Sequence, residues 1–536
     1  MELTRRDGLA ALGLLGAVGA LRLDLRPDPA LAQAGQQVDE IRWALPSIPN
    51  SLFIPHAWDT YIGAVMSLVQ DGLLSFDDKL GLAPAAAEGW TQPDPTTYVY
   101  RLRPGVKFSD GTPLTADDVV ASMSYHTKAD SGSQLAAFYS SVDSIAKSGE
   151  GQVTVKLKSA NVQFQYTPAH MAGFLFQAKQ LAEHASDLGT PDVLPLGTGP
   201  YRIVEFAPGD HVTLEASDGY WGPKPFAKRI TMQSIPDRQT RLLAMRNGDV
   251  DGTFDLSISD IDQWKALPGV NVVTAPSLGV YSITLDMSKP PLDDVHARRA
   301  IAYAVDRHGL VASLLKGNGE PATALNPPEI WSGILTPEEV RSFYASIPSY
   351  GFDLDKAKAE LKQSATPNGF SLTVPAASSD PYMVNMLQSV AENLKGVGIA
   401  LTIAEQDHNQ WLAGYFAHES LGMQVMPYFP DFPDAANYPG LFFGSASASK
   451  DGMNGSNYKS PAVDKLLDAA NQQADPKARA AALQAVFKAA AEDVPLVPVF
   501  WPYTAMAINA KYRLTGFTAF WYNIPWAERG FGPKAA

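Results

Sequence analysis

Apolar and polar residues alternate with a period of two in several short stretches of the chain, the pattern of half-buried strands. Val153, Val155 and Leu157 interleave with Thr154 and Lys156. Residues 38–44, 98–102, 201–206, 211–216, 399–403 and 497–500 are also read as strands, and Pro208-Gly209 separates the two strands 201–206 and 211–216. Elsewhere the period lengthens to that of a helix. Ala297, Ala300, Ile301, Ala304 and Val305 follow the i, i+3, i+4, i+7, i+8 spacing of a buried stripe. Further helices are predicted over about 115–127, 238–247, 381–397 and 476–493. The first opens on Thr115-Ala116-Asp117-Asp118. Its threonine hydroxyl can accept an orphan backbone N–H, and its two acids suit the positive end of a helix. Gly248 suits a left-handed cap on the second. No internal repeat is visible, and strands and helices alternate irregularly, so a mixed α/β fold is predicted. Residues 444–457, rich in Gly, Ser and Asn, are expected to form a mobile surface segment.

The first 34 residues read as an address rather than as fold. Arg5-Arg6 precede an apolar run over residues 8–21, and small-residue sites follow at Ala30-Leu31-Ala32 and Ala32-Gln33-Ala34. This is the order of a secretory leader, with a run too short to span a bilayer. The paired arginines resemble the twin-arginine export motif, although Gly8 replaces its usual bulky residue. No later apolar run approaches a membrane span, so an exported, soluble, periplasmic protein is expected.

Composition narrows the chemistry. The length of 536 residues suggests about three domains. A net charge of −14 argues against nucleic acid as a partner, since such a partner requires a basic footprint. The chain has no cysteine. Thiol catalysis, Fe–S clusters, Cys-zinc sites, disulfides and a cysteine-linked lipid anchor are thereby excluded. There is no G-x-x-x-x-G-K-[ST], no G-x-S-x-G and no H-E-x-x-H; the Glu after His418 lacks its second histidine. Carboxylate pairs occur at Asp431 with Asp434 and at Asp293 with Asp294. Such pairs serve glycosidases only when both face one cleft, and they serve more often as caps or solvated turns. No catalytic residue, metal site or cofactor is expected.

Several blocks, in order along the chain, resemble the ABC-importer solute-binding proteins of the oligopeptide, dipeptide and nickel-binding family. Most extensive is 98–122, running from Tyr98-Val99-Tyr100-Arg101 through Phe108-Ser109-Asp110-Gly111-Thr112-Pro113 to Ser122. Others are Gly197-Thr198-Gly199-Pro200-Tyr201-Arg202, Asp218-Gly219-Tyr220-Trp221, and residues 241–251, 299–307, 352–361 and 390–399. Each block taken singly reads as scaffold.

The resemblance implies a bilobal periplasmic-binding-protein (Venus-flytrap) fold of three domains. Domain I would comprise 38–72, 190–280 and 500–536, domain II would be an insertion over 73–189, and domain III would span 281–499. Crossings near 279–282 and 498–503 would form the hinge. Ligand would lie between domains I and III, and the closed form would dock on a membrane permease. A monomer is expected.

The resemblance also points to a site. Residues 426–434 are similar to the family's aromatic-plus-acidic turn, whose aspartate pairs with a peptide amino terminus and here falls on Asp431. An unpaired buried carboxylate is costly, so a cationic amine is a natural partner. Capping of the Pro-rich turn is the structural alternative. Tyr428, Phe429 and Trp411 are candidate stacking surfaces and equally candidate core residues. His408 falls where the family often has a tryptophan, Pro427-Tyr428 replaces its Gly-Trp, and Asn50 is a candidate from domain I. The expected ligand is a peptide or peptide-like small molecule. A sugar, an opine or a metal chelate stays open, as does a periplasmic hydrolase or chaperone on the same scaffold.

Overall fold

The computed structural model describes residues 37–419, 421–473, 475–528 and 531–533. The leader read over residues 1–34 lies outside them. The predicted first strand forms as Val38–Leu45 and lies in the interior of a large mixed sheet. It runs parallel to Ala227–Ser234, with Ile41 opposite Ile230 and Trp43 opposite Met232. Beyond that neighbour come His211–Ala216 and Tyr201–Ala207, both antiparallel. On its other side Val38–Leu45 pairs with the short strand Gly252–Thr253. Gly252 is required there, because a Cβ would lie 2.2 Å from the Trp43 ring.

The strand Leu496–Asn509 joins two ladders. Its later half pairs antiparallel with Val270–Pro276 and Gly252–Thr253, and Pro276 lies opposite Tyr503. Its earlier half pairs with Val280–Leu285 and Gly319–Pro321, and Tyr281 lies opposite Phe500. Met423–Tyr428 completes that side, with Tyr428 opposite Val280. Two segments therefore pass together from one ladder to the other, 276–280 and 500–503. A separate four-stranded antiparallel sheet has the order Ala87–Asp94, Thr97–Leu102, Gln152–Leu157, Val142–Gly149. The parallel pair Phe370–Ala377 and Ile399–Gln406 is bridged by the helix Pro381–Lys395.

Apolar burial is divided between two main clusters. One gathers Trp43, Trp526 and Phe254, with Trp43 ring centroids 4.7 Å from Trp526 and 4.8 Å from Phe254. The other gathers Ala300, Ile301, Ala304 and Val305 of the stripe with Trp331, Met386 and Phe487, and all five stripe residues, Ala297 included, are buried as the spacing predicts.

Local signals work as their chemistry requires. Thr115 caps the helix Ala116–Tyr125 in a reciprocal box with Asp118, whose carboxylate accepts from the Thr115 N–H at 2.8 Å. Gly248 ends the helix Arg238–Asn247 at φ +78°. Within the 98–122 block, Asp110 accepts from the Thr112 N–H at 2.9 Å and from its hydroxyl at 2.6 Å, which is a turn, as the scaffold reading holds.

Two expectations are corrected. The strand expected over 497–500 is far longer, because Pro502 sits where its missing N–H is tolerated and its carbonyl accepts from the Ser277 hydroxyl at 2.7 Å. Residues 444–457 do not form a surface segment throughout: Asn454 and Ser456 are buried. The Asn454 amide donates to the Gly444 and Tyr458 carbonyls at 3.1 and 2.9 Å, and the Ser456 hydroxyl donates back to Asn454 Oδ1 at 2.7 Å. The polar composition there feeds an internal network rather than solvent.

Candidate functional site

The turn after Met423–Tyr428 carries two carboxylates three residues apart, and their surroundings differ completely. Asp434 faces Arg479 of the helix Pro476–Asp493. The guanidinium donates from Nη1 and Nη2 to the two carboxylate oxygens at 2.6 and 2.7 Å, and both side chains are buried. Asp434 Oδ1 also accepts from the Ala436 N–H at 2.9 Å. Its charge is spent on holding the turn. Asp431 accepts no hydrogen bond and forms no ion pair among the described residues. Burial alone pushes its carboxyl up to about 6. Its charge acts on two phenols, Tyr428 from its own turn and Tyr522 from the C-terminal segment, and it adds to the burial that already raises both. Asp431 thus sits where the turn meets the opposite cluster, with aromatic walls and no cation.

Phe432, next in the chain, carries the turn across to residues 138–170. Its ring lies 5.4 Å from Phe138, 5.5 Å from His170 and 5.8 Å from Tyr166. Trp58 closes the far side, edge-on to Phe138 at 5.7 Å. Burial lowers His170 to about 3, so it is neutral at physiological pH and packs as an aromatic ring. A cavity of about 460 Å³ opens beside this contact. Tyr98 and Tyr166 line it on one side, Ala435 and Arg479 on the other.

The structure brings only some of the expected site residues together. Tyr428 is beside Asp431, but its hydroxyl donates to Asn437 Oδ1 at 2.9 Å and its ring packs edge-on against Tyr438 and Phe442. Phe429 is 52% exposed, and its ring covers Gly279, where a Cβ would approach to 2.3 Å. Trp411 is buried in the helix His408–Ala417 and packs in the second core cluster; no ring contact or hydrogen bond joins it to Asp431 among the described residues. His408 is exposed at the start of that helix, 5.7 Å from Trp411. Asn50 is exposed beside the Pro208-Gly209 turn. Of the other acidic pair, Asp294 caps the helix Val295–Tyr303 and also accepts from the Ala365 N–H at 2.6 Å, a structural use.

Sequence reasoning missed Tyr522, Phe138, Tyr166 and His170. They come from separate segments, and only the tertiary fold unites them. Phe432 alone was signalled, since it lies inside the quoted aromatic-plus-acidic turn. Among the described residues no group of three or more His, Asp or Glu is placed to hold a metal, and no helix is long and apolar enough to cross a membrane.

A two-core α/β molecule with paired crossings and an aromatic, acidic turn at the junction has the features of a solute-binding protein. The family model for bacterial extracellular solute-binding proteins, family 5, matches residues 81–450, and the chain belongs to that family. It is the extracytoplasmic binding component of an ABC importer, which captures a solute and delivers it to the membrane permease, and it is not an enzyme. Among curated relatives, the glutathione-binding protein GsiB of Salmonella typhi is 27% identical over 404 residues, covering 75% of this chain and 74% of that one. Among solved structures, HbpA2 from Haemophilus parasuis matches with a TM-score of 0.81 at 23% identity, covering 93% of this chain and all of that one. DppA from Helicobacter pylori, in complex with the peptide STSA, matches at 0.74 and 21% identity, covering 93% and 99%.

Proposed function

We propose that this protein captures a small peptide or peptide-like amine, and that Asp431 receives the ligand's ammonium group. The observation that carries the reading is the state of Asp431: a half-buried carboxylate beside two phenols, without a cation among the described residues, three residues from one that is paired with Arg479. A bound ammonium would restore the charged form and remove the burial penalty. The family and the relatives support the ligand class, since one relative is a glutathione-binding protein and another holds a tetrapeptide.

The reading includes three domains: 38–72, 190–280 and 500–536 as the first, 73–189 as the second and 281–499 as the third. Segments 276–280 and 500–503, which pass between the ladders, would flex as the hinge. Closure would then be favoured only by contacts the ligand makes on both sides. The paired arginines of the leader support twin-arginine export, and the absence of cysteine supports a mature form without a thioether-linked lipid.

The test is a calorimetric titration with a peptide identified by mass spectrometry of what co-purifies, set against its N-acetylated counterpart. The free amine should bind roughly thirtyfold or more tightly, the lower end of what a buried charge partner contributes. Equal affinity for the two forms would remove Asp431 from the role, and recovery of cleaved peptide would remove the transport reading.

A further inference from the structure

A second cavity, of about 210 Å³, lies wholly within residues 302–498 and shares no residue with the Asp431 site. Its walls are apolar, with Ala302, Val305, Ile347, Phe443, Phe487 and Leu496 among them. One cation enters this lining. Arg307 donates from Nε to the Pro498 carbonyl at 2.7 Å and from Nη1 to the Tyr350 carbonyl at 2.8 Å. Both acceptors are neutral, and Nη2 has no partner among the described residues.

Among the described residues no carboxylate pairs with this guanidinium. The adjacent Asp306 is turned away to cap the helix Arg307–Leu314, accepting from the Gly309 N–H at 2.9 Å. Burial lowers the Arg307 pKa to about 10 with no charged neighbour contributing, so the group remains a cation at neutral pH. An uncompensated charge on an apolar wall is costly, and its complement is an anion that brings its own apolar body. Phe352, 46% exposed, gives the lining an apolar rim.

We infer that this cavity is a second ligand site, which takes a small apolar carboxylate whose acid group meets Arg307 Nη2 and whose acyl or aryl part fills the cavity. The space suits a body of roughly ten non-hydrogen atoms, given that a dry cavity of about 150 Å³ accepts one benzene. The charge preference is opposite to that of Asp431, so the two sites select different molecules.

The experiment is calorimetric titration of the full chain with octanoate, octylamine and octanol at pH 7.5. Octanoate should bind one-to-one and about tenfold or more tightly than either analogue, as loss of a charge-assisted contact implies. Arg307→Gln should weaken octanoate by a similar factor. Arg307 also ties two backbone segments together, so Ala491→Phe is the companion variant: it fills the cavity without touching the guanidinium and should abolish binding while the thermal transition stays cooperative. Asp431→Asn should leave octanoate affinity unchanged, which separates this site from the peptide site. Octylamine binding as well as octanoate, or undiminished octanoate binding to Ala491→Phe, would overturn the proposal.

Discussion

Asp431 and Asp434 share one turn and one side-chain chemistry, yet the protein uses them in opposite ways. Asp434 meets Arg479 in a two-point ion pair shielded from solvent. Asp431 lies near two phenols, with no cation to balance it among the described residues. One carboxylate completes the fold, and the other is the one proposed to receive an outside cation. Burial of a charge therefore does not by itself mark a candidate binding residue; the proposal for Asp431 rests on burial without a partner.

The largest expected effect is on stability at the paired site. Asp434→Ala strands the Arg479 guanidinium and should cost roughly 3–5 kcal/mol in urea denaturation. Replacing the pair together, Asp434→Leu with Arg479→Met, should recover most of that loss. If Asp434→Ala were tolerated within 1 kcal/mol by the order of magnitude of a surface change, the contrast would collapse.

Next comes affinity at the unpaired site. Asp431→Asn should weaken binding of an amine ligand by roughly 2–5 kcal/mol while the free protein melts no lower than the parent. A lower melting point would show that Asp431 supports the turn.

A smaller effect concerns pH. The folded carboxyl of Asp431 is raised to about 6 against an ordinary 3.8, so the folded state holds the proton more tightly than the unfolded one. Its contribution to the ligand-free protein is therefore favourable at low pH and is lost as pH rises from about 4 to about 6. Asp431→Asn should flatten that part of the stability profile, whereas amine affinity in the parent should fall as pH drops through the same window. The smallest expected change lies away from the turn: Thr115→Ala breaks one capping box and should cost about 1 kcal/mol in thermal or urea melts, with no change in affinity.

What was legible in the sequence divides along physical lines. Signals carried by neighbouring residues came through: the Thr115 cap, the Gly248 terminator, and the stripe from Ala297 to Val305. The strand at 496–509 was read only over 497–500; Pro502 lies beyond that stretch, and only its pairing opposite Gly319 shows that a missing N–H is harmless there. Residues 444–457 were misjudged because polar side chains satisfy buried carbonyls as readily as they face water. Asp431 was a candidate through its place in a turn that resembles the family's. Trp411 was a candidate for its ring and its place three residues from where the family often has a tryptophan, and neither distinguishes a ring in a core from one in a cleft. Tyr522 stands almost a hundred residues beyond Asp431, so nothing local announced their meeting.

The strand Leu496–Asn509 finds its partners among residues 252–253, 270–276, 280–285 and 319–321, all made far earlier on the ribosome. Until that strand is made, both ladders lack the member that joins them. The growing polypeptide must wait with two half-built sheets, and this one strand commits both halves of the molecule at once.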